Sequence, residues 1–73
     1  MLLLKPGQSV LVHRHPLLAN GGPGRTFRGR VEVVTSHYVT VAFKIDEVPA
    51  RIDFSPNTGM SFREPHVFIT LEP

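Results

Sequence analysis

The chain has 73 residues, of which 41% are hydrophobic, and a formal net charge of +2. We expect one small domain, residues 1–73, whose core barely outweighs the conformational entropy lost on folding. The sequence has no cysteine, which excludes disulfides and thiolate zinc sites and favours a reducing, cytoplasmic location. Residues 1–4 are apolar but end at Lys5-Pro6, so they are too short for a membrane span, and no membrane association is expected.

Short strands separated by turns are predicted along the first third of the chain. Seven prolines and six glycines favour strands and turns over helices. Residues 5–8 form a Pro-Gly turn, and Ser9–Arg14 follows as the first strand, ended by His15-Pro16. Residues 17–26, which contain Asn20-Gly21-Gly22-Pro23-Gly24, are predicted to be a long glycine-rich loop.

The central hairpin, residues 27–45, carries the clearest pattern in the sequence. Its first strand places on one side Phe27, Gly29, Val31 and Val33. After a corner at residues 35–38, the second strand places on one side Val39, Val41, Phe43 and Ile45. Alternation with a period of two, in β-branched and aromatic residues, is typical of half-buried strands.

The second half of the chain adds two or three strands. A turn at Asp46-Glu47 leads into Val48–Phe54, and Pro49 restricts that strand to a sheet edge or to its first residues. After a turn at residues 55–59, residues 60–62 return as a short strand, and residues 66–71 form the last one, with Val67, Ile69 and Leu71 on one face. Five or six short antiparallel strands predict a small closed all-β barrel, because closure removes exposed sheet edges.

Three stretches of the first half resemble the KOW motif: Lys5-Pro6-Gly7-Gln8-Ser9-Val10-Leu11-Val12, Phe27-Arg28-Gly29-Arg30-Val31-Glu32-Val33-Val34 and Val39-Thr40-Val41. That pattern has a Pro-Gly turn, a hydrophobic-x-hydrophobic strand, a glycine-bearing loop, an aromatic-x-Gly-x-Val segment and an alternating Val-x-Val strand. KOW domains are small SH3-like barrels of ribosomal proteins and transcription elongation factors, where they bind RNA or protein partners. The resemblance, over residues 5–45, implies an SH3-like barrel with one long glycine-rich loop. It also implies that the loop before Gly29 and the basic residues near it form the contact surface.

Basic side chains near this hairpin are the candidate binding residues. Arg28 and Arg30 share one face, opposite Gly29 and Val31. Arginines along a sheet and a loop can hold phosphates through charge-assisted contacts. The full candidate set for a nucleic-acid or partner surface is Arg14, Arg25, Arg28, Arg30, Tyr38, Lys44 and Arg51. The alternative is a solvated face whose charge is balanced by Glu32, Asp46, Glu47 and Asp53.

Two aromatic side chains, Tyr38 and Phe68, fall on the outward side of their strands. An exposed aromatic ring beside arginines can stack a base, and the alternative is that it covers one end of the barrel. His13 and His15 lie on one side of a strand without a cysteine or paired carboxylate, so no metal site is predicted. No nucleophile elbow or phosphate-binding Gly-Lys-Ser/Thr ending is present, and we predict neither a cofactor nor an enzyme.

The leading hypothesis is a non-catalytic module that binds RNA or a nucleoprotein complex through a basic loop and strand face. The alternative is a protein-binding adaptor or small inhibitor that docks on a larger machine such as the transcription or translation apparatus. A third hypothesis is self-association through residues 1–4, paired as strands between copies.

Overall fold

The computed structural model describes residues 4–14, 24–63 and 66–72, which form an all-β fold of antiparallel strands. The strands are β1 (Ser9–Arg14), β2 (Arg25–Val34), β3 (Val39–Ile45), β4 (Val48–Phe54) and β5 (Val67–Leu71). They form one five-stranded sheet in the order β4-β3-β2-β1-β5. The prediction of an all-β chain of short antiparallel strands is confirmed, and Pro49 lies on an edge strand, as its missing N–H requires.

Two tight turns set the register of the three strands from β2 to β4. At the corner between β2 and β3, the hydroxyl oxygen of Thr35 accepts the backbone N–H of His37 and Tyr38 at 3.1 and 3.0 Å. Between β3 and β4, Asp46 and Glu47 have φ angles of 50° and 69°. A positive φ at both central residues is what a two-residue hairpin turn of type I′ needs to match the twist of its strands.

The core lies on the inner face of the sheet, where alternate side chains of all five strands meet. The buried side chains are Val10, Val12, Val31, Val39, Val41, Phe43, Phe54, Val67 and Ile69. Leu4 packs against this cluster from the segment before β1. Gly29 faces the same core, and an added Cβ there would lie 2.7 Å from Cγ1 of Val41 and 3.2 Å from Cγ2 of Val12. Glycine therefore allows β1 and β3 to pack their valines over β2.

A bulge in β2 interrupts the predicted alternation. Val31 pairs with Val41, but the next pair is Val33 with Thr40, so Glu32 is the extra residue. The side chain of Val33 is 42% exposed as a result. The expectation that Val33 shares the inner side with Val31 is wrong, because an extra residue shifts every later side chain by one position.

The sheet is open, so the expected closed barrel is wrong for the described part of the chain. The two edge strands β4 and β5 do not pair with each other. Residues 59–61 contact both edges instead: Phe54 bridges to Ser61, and Met60 bridges to Phe68. The amide of Ser55 donates to the carbonyl of Met60, and the amide of Ser61 donates to the carbonyl of Val67. Because one short segment reaches both edges, the sheet curls without closing.

Other strand predictions need smaller corrections. Residues 60–62 were predicted as a strand, and they form only the isolated bridges at Met60 and Ser61. β2 begins at Arg25, so Arg25 and Thr26 belong to a strand and not to the predicted loop. Leu71 shares the face of Val67 and Ile69, as predicted, but it is 47% exposed because it lies at the end of β5. The rest of the predicted glycine-rich loop, apart from Gly24, and residues 1–3 of the predicted self-pairing segment lie outside the described residues.

The close packing at Gly29 predicts a strong response to substitution. Gly29→Ala should lower the free energy of unfolding by about 1–3 kcal/mol, because the new methyl overlaps Val41. Urea denaturation measures this change. The double variant Gly29→Ala/Val41→Ala should be more stable than the sum of the two single effects predicts, since removing Cγ1 of Val41 makes room for the methyl. Additive effects would contradict this packing.

The turn at Glu47 predicts a stabilising substitution. A left-handed conformation costs a residue with a side chain about 1–2 kcal/mol, and glycine costs about 0.5–1 kcal/mol in lost backbone freedom. Glu47→Gly should therefore raise the free energy of unfolding by about 0.5–1 kcal/mol, measured by urea denaturation. Glu47→Ala, which removes the charge but keeps a Cβ, is the matched control and should give no gain. Equal stabilisation by both variants would assign the effect to charge instead.

Candidate functional site

Basic side chains collect on the outer face of β2, β3 and β4. Arg28 and Arg30 alternate along β2 with the buried Gly29 and Val31, so their side chains extend away from the core. On β3, Lys44 is exposed and alternates with the buried Phe43. We call the four outer cations Arg28, Arg30, Lys44 and Arg51 the basic face.

A row of paired residues connects the strands of the basic face. Arg30 on β2 lies opposite Ala42 on β3, and Ala42 lies opposite Arg51 on β4. Neighbouring strands are about 4.8 Å apart, so the two arginines start from backbone positions roughly 10 Å apart. Ala42, whose side chain is small, lies between them in the row. A shallow groove of about 540 Å³ runs along β2 and β3 here, and its lining includes Arg28, Arg30, Ala42 and Lys44.

Carboxylates partly balance this face. Nη2 of Arg28 lies 2.7 Å from Oε1 of Glu72, and Nε of Arg51 lies 2.7 Å from Oε1 of Glu32. The arginine side chains in these pairs are 76% and 72% exposed. Within the described part of the chain, Arg30 and Lys44 form no ion pair. On the basic face, one acid expected from the sequence, Glu32, and one that was not expected, Glu72, therefore form ion pairs, while Arg30 and Lys44 form none with the described residues.

Arg14 and Arg25 lie apart from the basic face. They pair with each other where β1 ends and β2 begins. By the alternation of side chains along their strands, both lie on the same side of the sheet as the buried residues. Arg14 lines a small inner cavity of about 80 Å³ with Val12 and Val67. The guanidinium of Arg25 lies 4.9 Å from the ring centroid of Phe27 and forms a 3.2 Å ion pair with Asp46. The structure thus divides the six candidate cations between two sides of the sheet.

The candidate aromatic residues occupy different places. Tyr38 is 37% exposed at the corner between β2 and β3, and it precedes Ala42 by four residues, about 13 Å along a strand. Phe68 on β5 is stacked on the ring of His13, with centroids 4.9 Å apart. The His13 nitrogens lie 2.7 Å and 3.3 Å from the hydroxyls of Thr70 and Thr26. Phe68 therefore already contacts His13, and it lies on β5, which β1 separates from the strands of the basic face.

The candidate binding residues predicted from the sequence do not include Phe62 and Arg63. Phe62 is 60% exposed, and both residues line a second groove beside Arg51. Residues 60–62 read as a strand in the sequence, and nothing in their alternation shows that Phe62 is exposed. The available signal was Pro65, because a proline so soon after residues 60–62 limits how far a strand there can continue.

Among residues 4–14, 24–63 and 66–72, no three His, Asp or Glu side chains are grouped as a metal site would need. The described segments contain no helix with the length and apolar character to cross a bilayer.

Comparison with known proteins adds no relative. The chain has no significant match among models of protein families, among curated proteins or among solved structures.

The exposed ion pair of Glu32 and Arg51 predicts a small energetic coupling. Exposed pairs are typically worth about 0–1 kcal/mol, because water and salt screen the charges. A double-mutant cycle with Glu32→Gln and Arg51→Gln, followed by urea denaturation, should give a coupling energy in that range. A coupling above about 2 kcal/mol would show that the pair supports the fold and is not free to exchange partners.

Proposed function

We propose that this protein is a non-catalytic module that binds single-stranded RNA through the basic face. The observation that carries the proposal is the open row of Arg30, Ala42 and Arg51, with Lys44 beside it, on three adjacent strands. Two of these cations have no carboxylate partner among the described residues, and the groove between them is shallow and open to solvent. Such a surface suits an extended polyanion better than an enclosed small molecule.

The mechanism is electrostatic docking. Phosphates bind Arg30 and Lys44 directly, and the release of counterions from RNA drives association. Arg28 and Arg51 join by exchanging a carboxylate for a phosphate oxygen, because an ion pair whose arginine is exposed contributes little stability. The groove lined by Arg28, Arg30, Ala42 and Lys44 gives the backbone of a single strand room to pass beside these cations. A net charge of only +2 means that binding depends on where the cations lie and not on their total.

We also propose that the sheet is an SH3-like fold with an open edge, related to KOW domains. The support is that residues 59–61 hydrogen-bond to both β4 and β5, which curls five short strands around one small core. The KOW-like stretches of β1, β2 and β3 carry the core valines Val10, Val12, Val31 and Val41. Nucleic-acid binding by KOW domains is consistent with the proposed activity.

Removal of Arg30 and Lys44, the cations of the basic face that form no ion pair with a described residue, tests the function. Fluorescence anisotropy with a labelled single-stranded RNA of about 12 nucleotides measures affinity as a function of salt. Wild-type affinity should fall steeply between about 50 and 200 mM salt. Arg30→Ala/Lys44→Ala should weaken binding roughly tenfold or more at low salt and lower the salt slope by about 0.7 per lost phosphate contact.

Two further variants serve as controls. Arg14→Ala removes one positive charge from the other side of the sheet, so it should weaken binding much less than Arg30→Ala. Glu32→Gln frees Arg51 from its carboxylate and should tighten binding. Wild-type affinity that does not respond to salt, or an equal loss from Arg14→Ala and Arg30→Ala, would reject the basic face as the RNA site. A stable complex with a protein partner that resists nuclease would favour the adaptor alternative.

A further inference from the structure

A second groove adjoins the basic face, between β4 and residues 61–63. Its volume is about 560 Å³, within the range of ligand-binding clefts in proteins. The residues that line it are Thr40, Arg51, Ile52, Asp53, Ser61, Phe62 and Arg63. Arg51 thus belongs both to this groove and to the basic face. An RNA strand bound along the basic face can therefore extend directly into the groove.

Phe62 is placed in the groove by the pairing at the end of β4. Phe54 bridges antiparallel to Ser61, so the next residue along, Phe62, comes beside Asp53 on the outer side of the sheet. Asp53 is two residues from Arg51 on β4, about 7 Å along the strand. The ring of Phe62 is 60% exposed, the largest exposed fraction among the five phenylalanines. A flat apolar ring is therefore exposed to solvent in the same groove as Arg51.

The groove holds charges of both signs close to the ring of Phe62. Arg51 and Arg63 are exposed cations that line the groove together with Phe62. Within the groove, Oδ1 of Asp53 accepts a hydrogen bond of 2.6 Å from the hydroxyl of Thr40. A carboxylate repels a phosphate but accepts hydrogen bonds from an amino group. The groove thus suits a flat ring that has an N–H donor and anionic groups next to it.

We propose that this groove binds one nucleobase of the single-stranded RNA that docks on the basic face, a proposal that rests on the function given above. The base stacks on Phe62, the flanking phosphates bind Arg51 and Arg63, and Asp53 accepts a hydrogen bond from the exocyclic amino group of the base. Stacking explains an exposed phenylalanine beside two arginines, and the anchored carboxylate of Asp53 supplies base preference.

Asp53 predicts which pyrimidine is preferred. Cytosine presents the N4 amino donor where uracil presents the O4 acceptor. A carboxylate pairs with the first and repels the second. The groove should therefore prefer cytosine to uracil, and single-stranded oligocytidylate and oligouridylate of equal length are matched probes because their backbones are the same.

Three variants test the site by fluorescence anisotropy with these two probes. Phe62→Ala should weaken oligocytidylate binding roughly tenfold, whereas Phe62→Tyr, which keeps an aromatic ring, should stay near the wild type. The salt slope should not change in either variant, because no cation is removed. Asp53→Ala should bring the ratio of the two affinities close to one. Circular dichroism melting checks the fold, and the exposure of Phe62 and Asp53 predicts little loss of stability.

The outcomes separate this proposal from the function on which it rests. Wild-type affinity in Phe62→Ala, together with a loss in Arg30→Ala/Lys44→Ala, would overturn the base-binding groove and keep RNA binding by the basic face. Equal affinity of the wild type for the two probes would overturn the role of Asp53. Binding of neither probe at low salt would overturn both proposals. A loss in Phe62→Ala that Phe62→Tyr restores would support the groove.

Discussion

The burial of Gly29 and Val31 on β2 determines which side chains the sheet presents to solvent. Val12 of β1 and Val41 of β3 pack so closely over Gly29 that a Cβ there would overlap Val41. Since side chains alternate along a strand, this inward packing forces Arg28 and Arg30 onto the outer face. The pairing register then brings Ala42 and Arg51 into the same row. The basic face is in this sense a consequence of how the valine core is packed.

A second constraint acts at the edges of the sheet. The bulge at Glu32 ends the alternation of β2 and leaves a carboxylate beside Arg51. Residues 59–61 pair with β4 on one side and with β5 on the other, and this short segment holds Phe62 in the groove that Arg51 also lines. In a closed barrel, the two edge strands would hydrogen-bond to each other. Here residues 59–61 hydrogen-bond to both edges instead. The exposed aromatic ring follows from that arrangement.

Local patterns predicted the strands better than they predicted how the strands associate. β1, β3 and β4 have the predicted bounds, because alternating valines and the turn at Asp46-Glu47 are local signals. The bulge, the open edge and the pair of Arg28 with Glu72 depend on contacts between distant parts of the chain. The candidate cations were grouped together, although the alternation of β1 already places Arg14 on the side of Val10 and Val12. The side of Arg25 could not be predicted, because residues 25 and 26 were assigned to the loop and not to β2. Whether those residues bind a partner stays a prediction.

We propose above all that the outer face of β2, β3 and β4 binds RNA by charge. The most direct measurement is a heteronuclear NMR titration of the ¹⁵N-labelled protein with a short single-stranded RNA at low and at moderate salt. RNA binding at this face should produce amide shift changes that cluster at residues 28–30, 42–44 and 51 and that largely vanish at the higher salt. A spectrum that does not move at low salt would contradict it, as would shift changes that centre on Arg14 and Arg25.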